Sequence, residues 1–206
     1  MKVNFFIFTL IFPSLCFGEL FLEITKGSED PYKVAMIPFE GNSKISKELY
    51  LIIQNDLIRT GEFSILDKKL HLPVQIIDDE LVYNDWKLLG MDYLVTGKII
   101  KNNNSLDINY EIYDVNKKRK VRSSKVFGIP NQIRQLAHYT SDGIYESITG
   151  IKGIAATRLL YVNEIKDTKS ISTYKLMLAD ADGKNEKNLL TSSEPIISPS
   201  WSPDGK

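Results

Sequence analysis

Few side chains in this 206-residue chain could do chemistry, and their spacing argues against catalysis. The two histidines, His71 and His138, fall on an expected loop and an expected helix, each without a patterned partner, and read as structural or solvated. There is no Gly-x-Ser-x-Gly elbow to present a serine nucleophile. No Gly-x-Gly-x-x-Gly or Gly-Lys-[Ser/Thr] loop is present to cradle phosphate. Asp78-Asp79-Glu80 is a carboxylate cluster, but adjacent residues point apart on any regular element, so it reads as a solvated turn or helix start. Asp180-x-Asp182-Gly183 resembles part of a calcium loop. Lys184 or Asn185 fills the third acidic position and no Glu closes the loop, so a two-residue hairpin turn is expected there. Lys117-Lys118-Arg119-Lys120 could touch a membrane surface, but four charges in a turn read as a wet turn. No metal or cofactor is expected.

The ends of the chain say more. Met1 to Gly18 has the form of a secretory leader: Lys2 is the positive start, Val3 to Phe12 is largely apolar, and Pro13 breaks the run. Cys16 and Gly18 occupy the small-residue positions before an expected cut between Gly18 and Glu19. The run is shorter than the roughly 20 apolar residues of a membrane span, which disfavours a retained anchor. A lipidation reading of Cys16 fails because Leu15, a large residue, precedes it. No other segment is apolar enough to insert in a membrane. Once the leader is removed no cysteine remains, so an exported domain would be held by its core. Lys+Arg and Asp+Glu both number 26, which leaves no basic footprint for nucleic acid.

Hydrophobic periodicity supplies the scaffold. Glu19 to Thr25 alternates, with Leu20, Leu22 and Ile24 on one face and Glu19, Phe21, Glu23 and Thr25 on the other. Such a strand could pair within its own domain or with the edge of another protein's sheet, and the pattern leaves both open. Lys33 to Phe39 predicts a buried strand that Pro38 ends. Asn42 or Ser43 can cap a helix whose apolar stripe is Ile45, Leu49, Ile52, Ile53 and Leu57, with Gly61 as terminator. Phe63 to Leu66 predicts a short strand, and Asp85 to Leu89 a short helix. Tyr93 to Ile100 and Ser105 to Asp114 predict a hairpin, with Leu106, Ile108, Tyr110 and Ile112 on one face; Val121 to Phe127 adds a third arm. Ile133 to Thr149 predicts a helix with Ile133, Leu136, Ala137, Ile144 and Ile148 inward and Gly150 beyond its end. Downstream only short strands are expected, Arg158 to Val162, Tyr174 to Ala179 and Asn188 to Thr191, which places a domain boundary near 150–156.

Ser198-Pro-Ser-Trp201-Ser-Pro203-Asp-Gly205-Lys206 sets a strand-entry Trp beside a Pro-Asp-Gly turn. Pro203 pre-sets φ for the first turn position and Gly205 supplies the positive φ. This is the punctuation of a β-propeller blade, a unit that recurs about every 40–45 residues because one blade cannot bury both its faces alone. The signature occurs once here, so the chain is read as the front part of a longer protein.

Several segments together resemble the TolB family, the periplasmic component of the Tol–Pal envelope system. They are Glu19-Leu-Phe-Leu-Glu-Ile-Thr-Lys-Gly27, Val34-Ala-Met-Ile-Pro-Phe39, Asp85-Trp86 leading into Leu89-Gly-Met-Asp-Tyr-Leu-Val-Thr-Gly97, and Ile148-Thr-Gly-Ile-Lys-Gly153. Thr157-Arg-Leu-Leu-Tyr-Val162, Asp180-Ala-Asp-Gly183 and the Trp201 segment follow in the family's order.

The resemblance implies a leader at 1–18 and an α/β domain with a mixed sheet and two or three helices at 19–150. It implies the start of an all-β propeller, six-bladed when complete, at 151–206. It also implies a non-enzymatic adaptor without cofactors, linking inner membrane, outer membrane and peptidoglycan and supporting envelope integrity and constriction at cell division. The N-terminal strand, Glu19, Leu20, Phe21, Leu22, Glu23, Ile24 and Thr25, would dock the C-terminal domain of TolA. The propeller, mostly absent from this chain, would bind Pal, with other outer-membrane proteins as further partners. Two rivals are the front of an exported prolyl-oligopeptidase-type peptidase, which also uses Trp-Ser-Pro-Asp-Gly propellers, and a free-standing ligand-binding module ending near Gly150.

Overall fold

A computed structural model describes residues 30–77, 80–168 and 171–203. The expected leader, its cut at Gly18–Glu19, the Glu19–Thr25 strand and Asp78–Asp79 lie outside these residues, as do residues 204–206 of the turn signature. Among the described residues, ten strands and three α-helices run in the order β1 (Tyr32–Met36), α1 (Ser43–Arg59), β2 (Phe63–Ile65), β3 (Ile76–Ile77), β4 (Glu80–Leu81), α2 (Asn84–Leu88), β5 (Tyr93–Lys101), β6 (Leu106–Asp114), β7 (Arg119–Gly128), α3 (Ile133–Thr149), β8 (Arg158–Lys166), β9 (Ser172–Asp180) and β10 (Lys187–Ser192).

The N-terminal domain is built on a five-stranded mixed sheet in the order β2-β1-β5-β6-β7. β1 pairs in parallel with both β2 and β5, because α1 and the 66–92 segment carry the chain back between them. β5, β6 and β7 form the expected antiparallel meander, with a register shift at Ile112/Tyr113. β1 is shorter than the sequence predicts. Ile37 N–H still reaches Val95 O at 2.9 Å, but Pro38 has no donor and the regular ladder stops at Met36.

Both long helices cover one face of the sheet. Asn42 caps α1, its side-chain oxygen accepting from Lys44 N–H at 3.1 Å and Ile45 N–H at 3.2 Å. The expected stripe is the one buried: Leu49, Ile52, Ile53 and Leu57 pack with Val34, Met36, Val95, Ile108, Tyr110 and Ile112, and Ile45 sits at the cluster's margin. Full burial of one such side chain contributes roughly 1.5–3 kcal/mol. α3 adds Leu136, Ala137, Ile144 and Ile148 to the same cluster and ends at Gly150, which takes the left-handed cap at φ 76°. A smaller cluster on the other face joins Ala35 and Leu94 to Trp86, Met91, Tyr113 and Val115.

After Gly150 the chain enters a three-stranded antiparallel sheet in the order β10-β9-β8, the all-β style expected after the boundary near 150–156. Its faces are thinly covered: Leu159, Leu189, Leu190 and Ile197 are exposed, and Trp201 keeps 45% of its surface. The two-residue turn expected at Asp180–Gly183 is corrected to a six-residue connection, 181–186. Asp180 N–H donates to Lys184 O at 2.9 Å, and both Gly183 (φ 76°) and Asn185 (φ 54°) are left-handed, so the loop curls back before β10 begins. No helix among the described residues is long and apolar enough to cross a membrane.

Candidate functional site

The polar side chains that converge in this structure lie where α3 meets α1 and the first blade. α3 carries two stripes. Ile133, Leu136, Ala137, Ile144 and Ile148 face the sheet. Arg134, His138, Ser141, Asp142 and Tyr145, at i, i+4, i+7, i+8 and i+11, face α1 and the blade. A helix packed on both sides keeps these side chains at fixed distances.

At the centre is Asp56 of α1, 3% exposed. One carboxylate oxygen accepts from His138 Nδ1 at 2.7 Å and from Ser141 Oγ at 2.8 Å. The other accepts from Arg59 Nη2 at 3.3 Å. On the far side of the ring, His138 Nε2 lies 3.4 Å from Arg134 Nη2. A carboxylate only accepts and a guanidinium only donates, so the partners assign the tautomer, with the proton on Nδ1 and the lone pair on Nε2.

Arg134 then crosses to the blade. Its Nη2 donates to Asp182 at 2.5 Å and its Nε to Asp180 at 3.4 Å. Burial opposes the Arg134 charge, but these two carboxylates outweigh it and push its pKa up. Asp182 is likewise half-sheltered. Burial works against its ionised form, yet the Arg134 hydrogen bond and the Lys184 N–H hold its carboxyl below the usual range. Asn185 Nδ2 steadies Asp180 at 2.6 Å. Among the described residues, the ion pairs from α3 to β9 and the loop after it run through Arg134.

Asp142 supports the connecting segment. Its oxygens accept from Ala155 N–H at 2.6 Å and Ala156 N–H at 3.1 Å. Burial raises its pKa, aided by the charge of Asp56 and opposed by the two amides. Two clefts of about 540 Å³ flank the relay. One is polar, lined in part by Gln135, Arg158, Asn185 and Lys187; the other is apolar, with Leu57, Tyr145, Ile151, Ile154 and Leu159.

Asp56, His138 and Asp182 offer one ligand atom each within 4.8 Å of one another. Their lone pairs are already engaged, however: Asp56 by His138 and Ser141, and Asp182 by the Arg134 cation. The donor set is an ion-pair relay rather than a metal triad. Nor is it a nucleophile–base pair, since the one proton of Ser141 Oγ has Asp56 Oδ2 at 2.8 Å and Ala137 O at 3.0 Å as its acceptors rather than the imidazole.

The other candidate residues are placed elsewhere. His71 rests on Leu66 O at 3.3 Å and against the Tyr50 ring. In the basic turn, Lys117 pairs with Asp114 at 3.4 Å and Lys120 with Glu111 at 2.6 Å, so two of its four cations are in local pairs. Sequence reading missed the relay. The available signal was the second, polar stripe on α3, in which His138 recurs at helical spacing with Arg134, Ser141 and Asp142.

Comparison with known proteins gives this arrangement its family. Residues 20–121 match the family model for the TolB amino-terminal domain, and residues 145–206 match that for the TolB beta propeller domain. A "Tol-Pal system protein TolB" of Alcanivorax borkumensis is 34% identical over 207 residues, covering 100% of this chain and 47% of the relative. The protein of the same name from Hahella chejuensis is 35% identical over 209 residues, covering 100% of this chain and 48% of the relative. The crystal structure of TolB from Acinetobacter baumannii superposes with a TM-score of 0.75 at 34% identity, covering 89% of this chain and 44% of that one. The chain thus spans about half the length of the curated relatives it matches. With both family models matched in order and relatives aligned from end to end of this sequence, the chain belongs to the TolB family, of which it carries the amino-terminal domain and the start of the propeller.

Proposed function

We propose that this chain is the front part of a periplasmic Tol–Pal adaptor that works by protein–protein binding and not by catalysis. The observation that carries the reading is the alignment of the whole chain with relatives named for that system. In this reading residues 1–18 are removed on export, 19–150 form the α/β domain and 151–206 begin the propeller. Glu19 to Thr25 is the strand that docks the TolA C-terminal domain, and the complete propeller binds Pal. The adaptor then ties the inner membrane to the outer membrane and peptidoglycan, keeps the envelope intact and assists outer-membrane constriction at division.

The geometry supports this reading in one respect: the hydrogen bonds and ion pairs of Arg134 and Asp142 join the two units, and a polar junction suits a protein whose sites must influence each other. The test is a titration of the exported protein against the TolA C-terminal domain. Removal of residues 19–25 is expected to abolish binding, and unchanged binding would sink the assigned strand. The peptidase reading finds no support among the described serines, and a serine-reactive probe on the exported protein is expected to leave it unlabelled.

A further inference from the structure

We propose that Arg134 is the pin of an interdomain latch that fixes the angle between the amino-terminal domain and the first blade, and that releases when this angle changes. The proposal rests on how each end of the Arg134 contact is held. On one side the guanidinium projects from a helix whose opposite stripe is in the main core. His138 Nε2 backs it at 3.4 Å, and His138 is in turn fixed by Asp56 of α1. On the other side, Asp180 ends β9 and Asp182 sits in the loop that follows, which determines its own shape. Asp180 N–H closes on Lys184 O, Lys184 N–H on Asp182 Oδ1 at 3.1 Å, and Asn185 Nδ2 on Asp180. Two rigid jaws thus meet through one planar, forked donor, the side chain best suited to hold paired carboxylates in a fixed orientation.

The surroundings make this contact releasable. Little apolar surface welds the junction: Ile151 and Ile154 are 60% and 72% exposed, and the buried apolar members are the small side chains Ala155 and Ala179. The connection between the units contains Gly150 in a left-handed conformation and Gly153 against Asp142. Asp142 holds the connection through the amides of Ala155 and Ala156. That anchor is independent of Arg134. Rotation beyond Ala156, where the chain passes through Thr157 into β8, can therefore separate Arg134 from Asp180 and Asp182 while the anchor on Asp142 stays made, which is a hinge beside a catch. Polar inter-unit contacts of this kind permit relative motion where a large apolar interface would forbid it.

The regulatory use of the latch rests on the adaptor reading; the latch itself does not. The experiment uses the exported protein with reporter pairs at Lys47→Cys on α1 and Lys166→Cys on β8, both exposed positions outside the relay. Inter-label distances are measured by pulsed electron spin resonance with no partner present. The parent is expected to give one narrow distribution. Arg134→Ala is expected to broaden it or add a second population, and Arg134→Glu to do so more strongly. Adding Asp182→Arg to Arg134→Glu, which recreates an opposite-charge contact, is expected to narrow it again. Thermal unfolding of each variant checks that it is folded. A folded Arg134→Glu protein with the parent's distribution overturns the latch. Titration with the strand-docking domain then separates the two ideas. A change in affinity of about five-fold or more in Arg134→Ala supports a latch that is coupled to binding. Altered distances with no binding by any variant leave the latch standing and remove the adaptor reading.

Discussion

His138 Nδ1 sits 2.7 Å from Asp56 Oδ2, a contact between two residues at 3% exposure and 82 apart in sequence that joins α3 to α1. It explains why a charged residue can occupy the inner face of α1. Asp56 is taken out of water but receives three donors, from His138, Ser141 and Arg59. A buried carboxylate so satisfied is tolerated, whereas the groups around it would be left unpaired by its loss.

Asp56→Ala should therefore destabilise the protein by about 3 kcal/mol, in the range seen when one partner of a buried pair is removed. Urea unfolding followed by far-ultraviolet circular dichroism measures it. A change below about 0.5 kcal/mol, the size of an ordinary surface substitution, would contradict the central placement of Asp56.

α3 approaches the sheet closely enough that position 143 has no room for a side chain. A Cβ on Gly143 would run into the hydroxyl of Tyr110, which is 2% exposed on β6. Gly143→Ala is expected to cost about 1–3 kcal/mol through overpacking despite alanine's better helix propensity. Tyr110→Phe removes the colliding oxygen, so the double variant should recover much of that loss. Additive losses in the double-mutant cycle would refute the steric account.

The junction should respond to acid through Asp182. Its carboxyl is held below the ordinary value in the folded protein, so its contribution is complete above the unfolded carboxylate value and is lost as pH falls through the depressed one. Asp182→Asn should be less stable than the parent at neutral pH, and the two should converge in acid. Asp142 has the opposite sign. Its raised value means that ionisation costs stability as pH rises through it, so the deficit of Asp142→Asn against the parent should shrink with rising pH. Unfolding midpoints across the acid range test both, and parallel curves for either variant would exclude that residue from the linkage.

The cap of α1 gives a local check. Asn42→Ala removes the acceptor for the amides of Lys44 and Ile45 and should cost about 1 kcal/mol, whereas Asn42→Ser should be nearly neutral. Equal losses for the two variants in thermal unfolding would show that the side chain is not acting as a cap.

Much of the architecture was legible because periodicity is a local property. The α1 stripe from Leu49 to Leu57, the alternation of Leu106 to Ile112 on β6 and the span of α3 each follow from spacing alone. The parallel pairing of β1 with β5 is not local, since it depends on which distant segments cover the second face of the sheet. The Asp180 loop was misread for a related reason. Its Asp and Gly residues suit a tight turn, but two of its carboxylates are claimed by Arg134, 46 and 48 residues upstream. The relay was hidden because each member looks ordinary by itself, and only the packing of α3 between sheet, α1 and blade makes them neighbours.

The two tryptophans divide the molecule optically. Trp86 is 1% exposed beneath the amino-terminal sheet, whereas Trp201 keeps 45% of its surface in the propeller segment. Their fluorescence should differ in emission wavelength and in access to a soluble quencher. With Trp201→Phe the remaining signal follows the amino-terminal domain, and with Trp86→Phe it follows the propeller segment. The sequence thus carries one built-in spectroscopic probe for each unit, so the order in which the two melt can be read without an added dye.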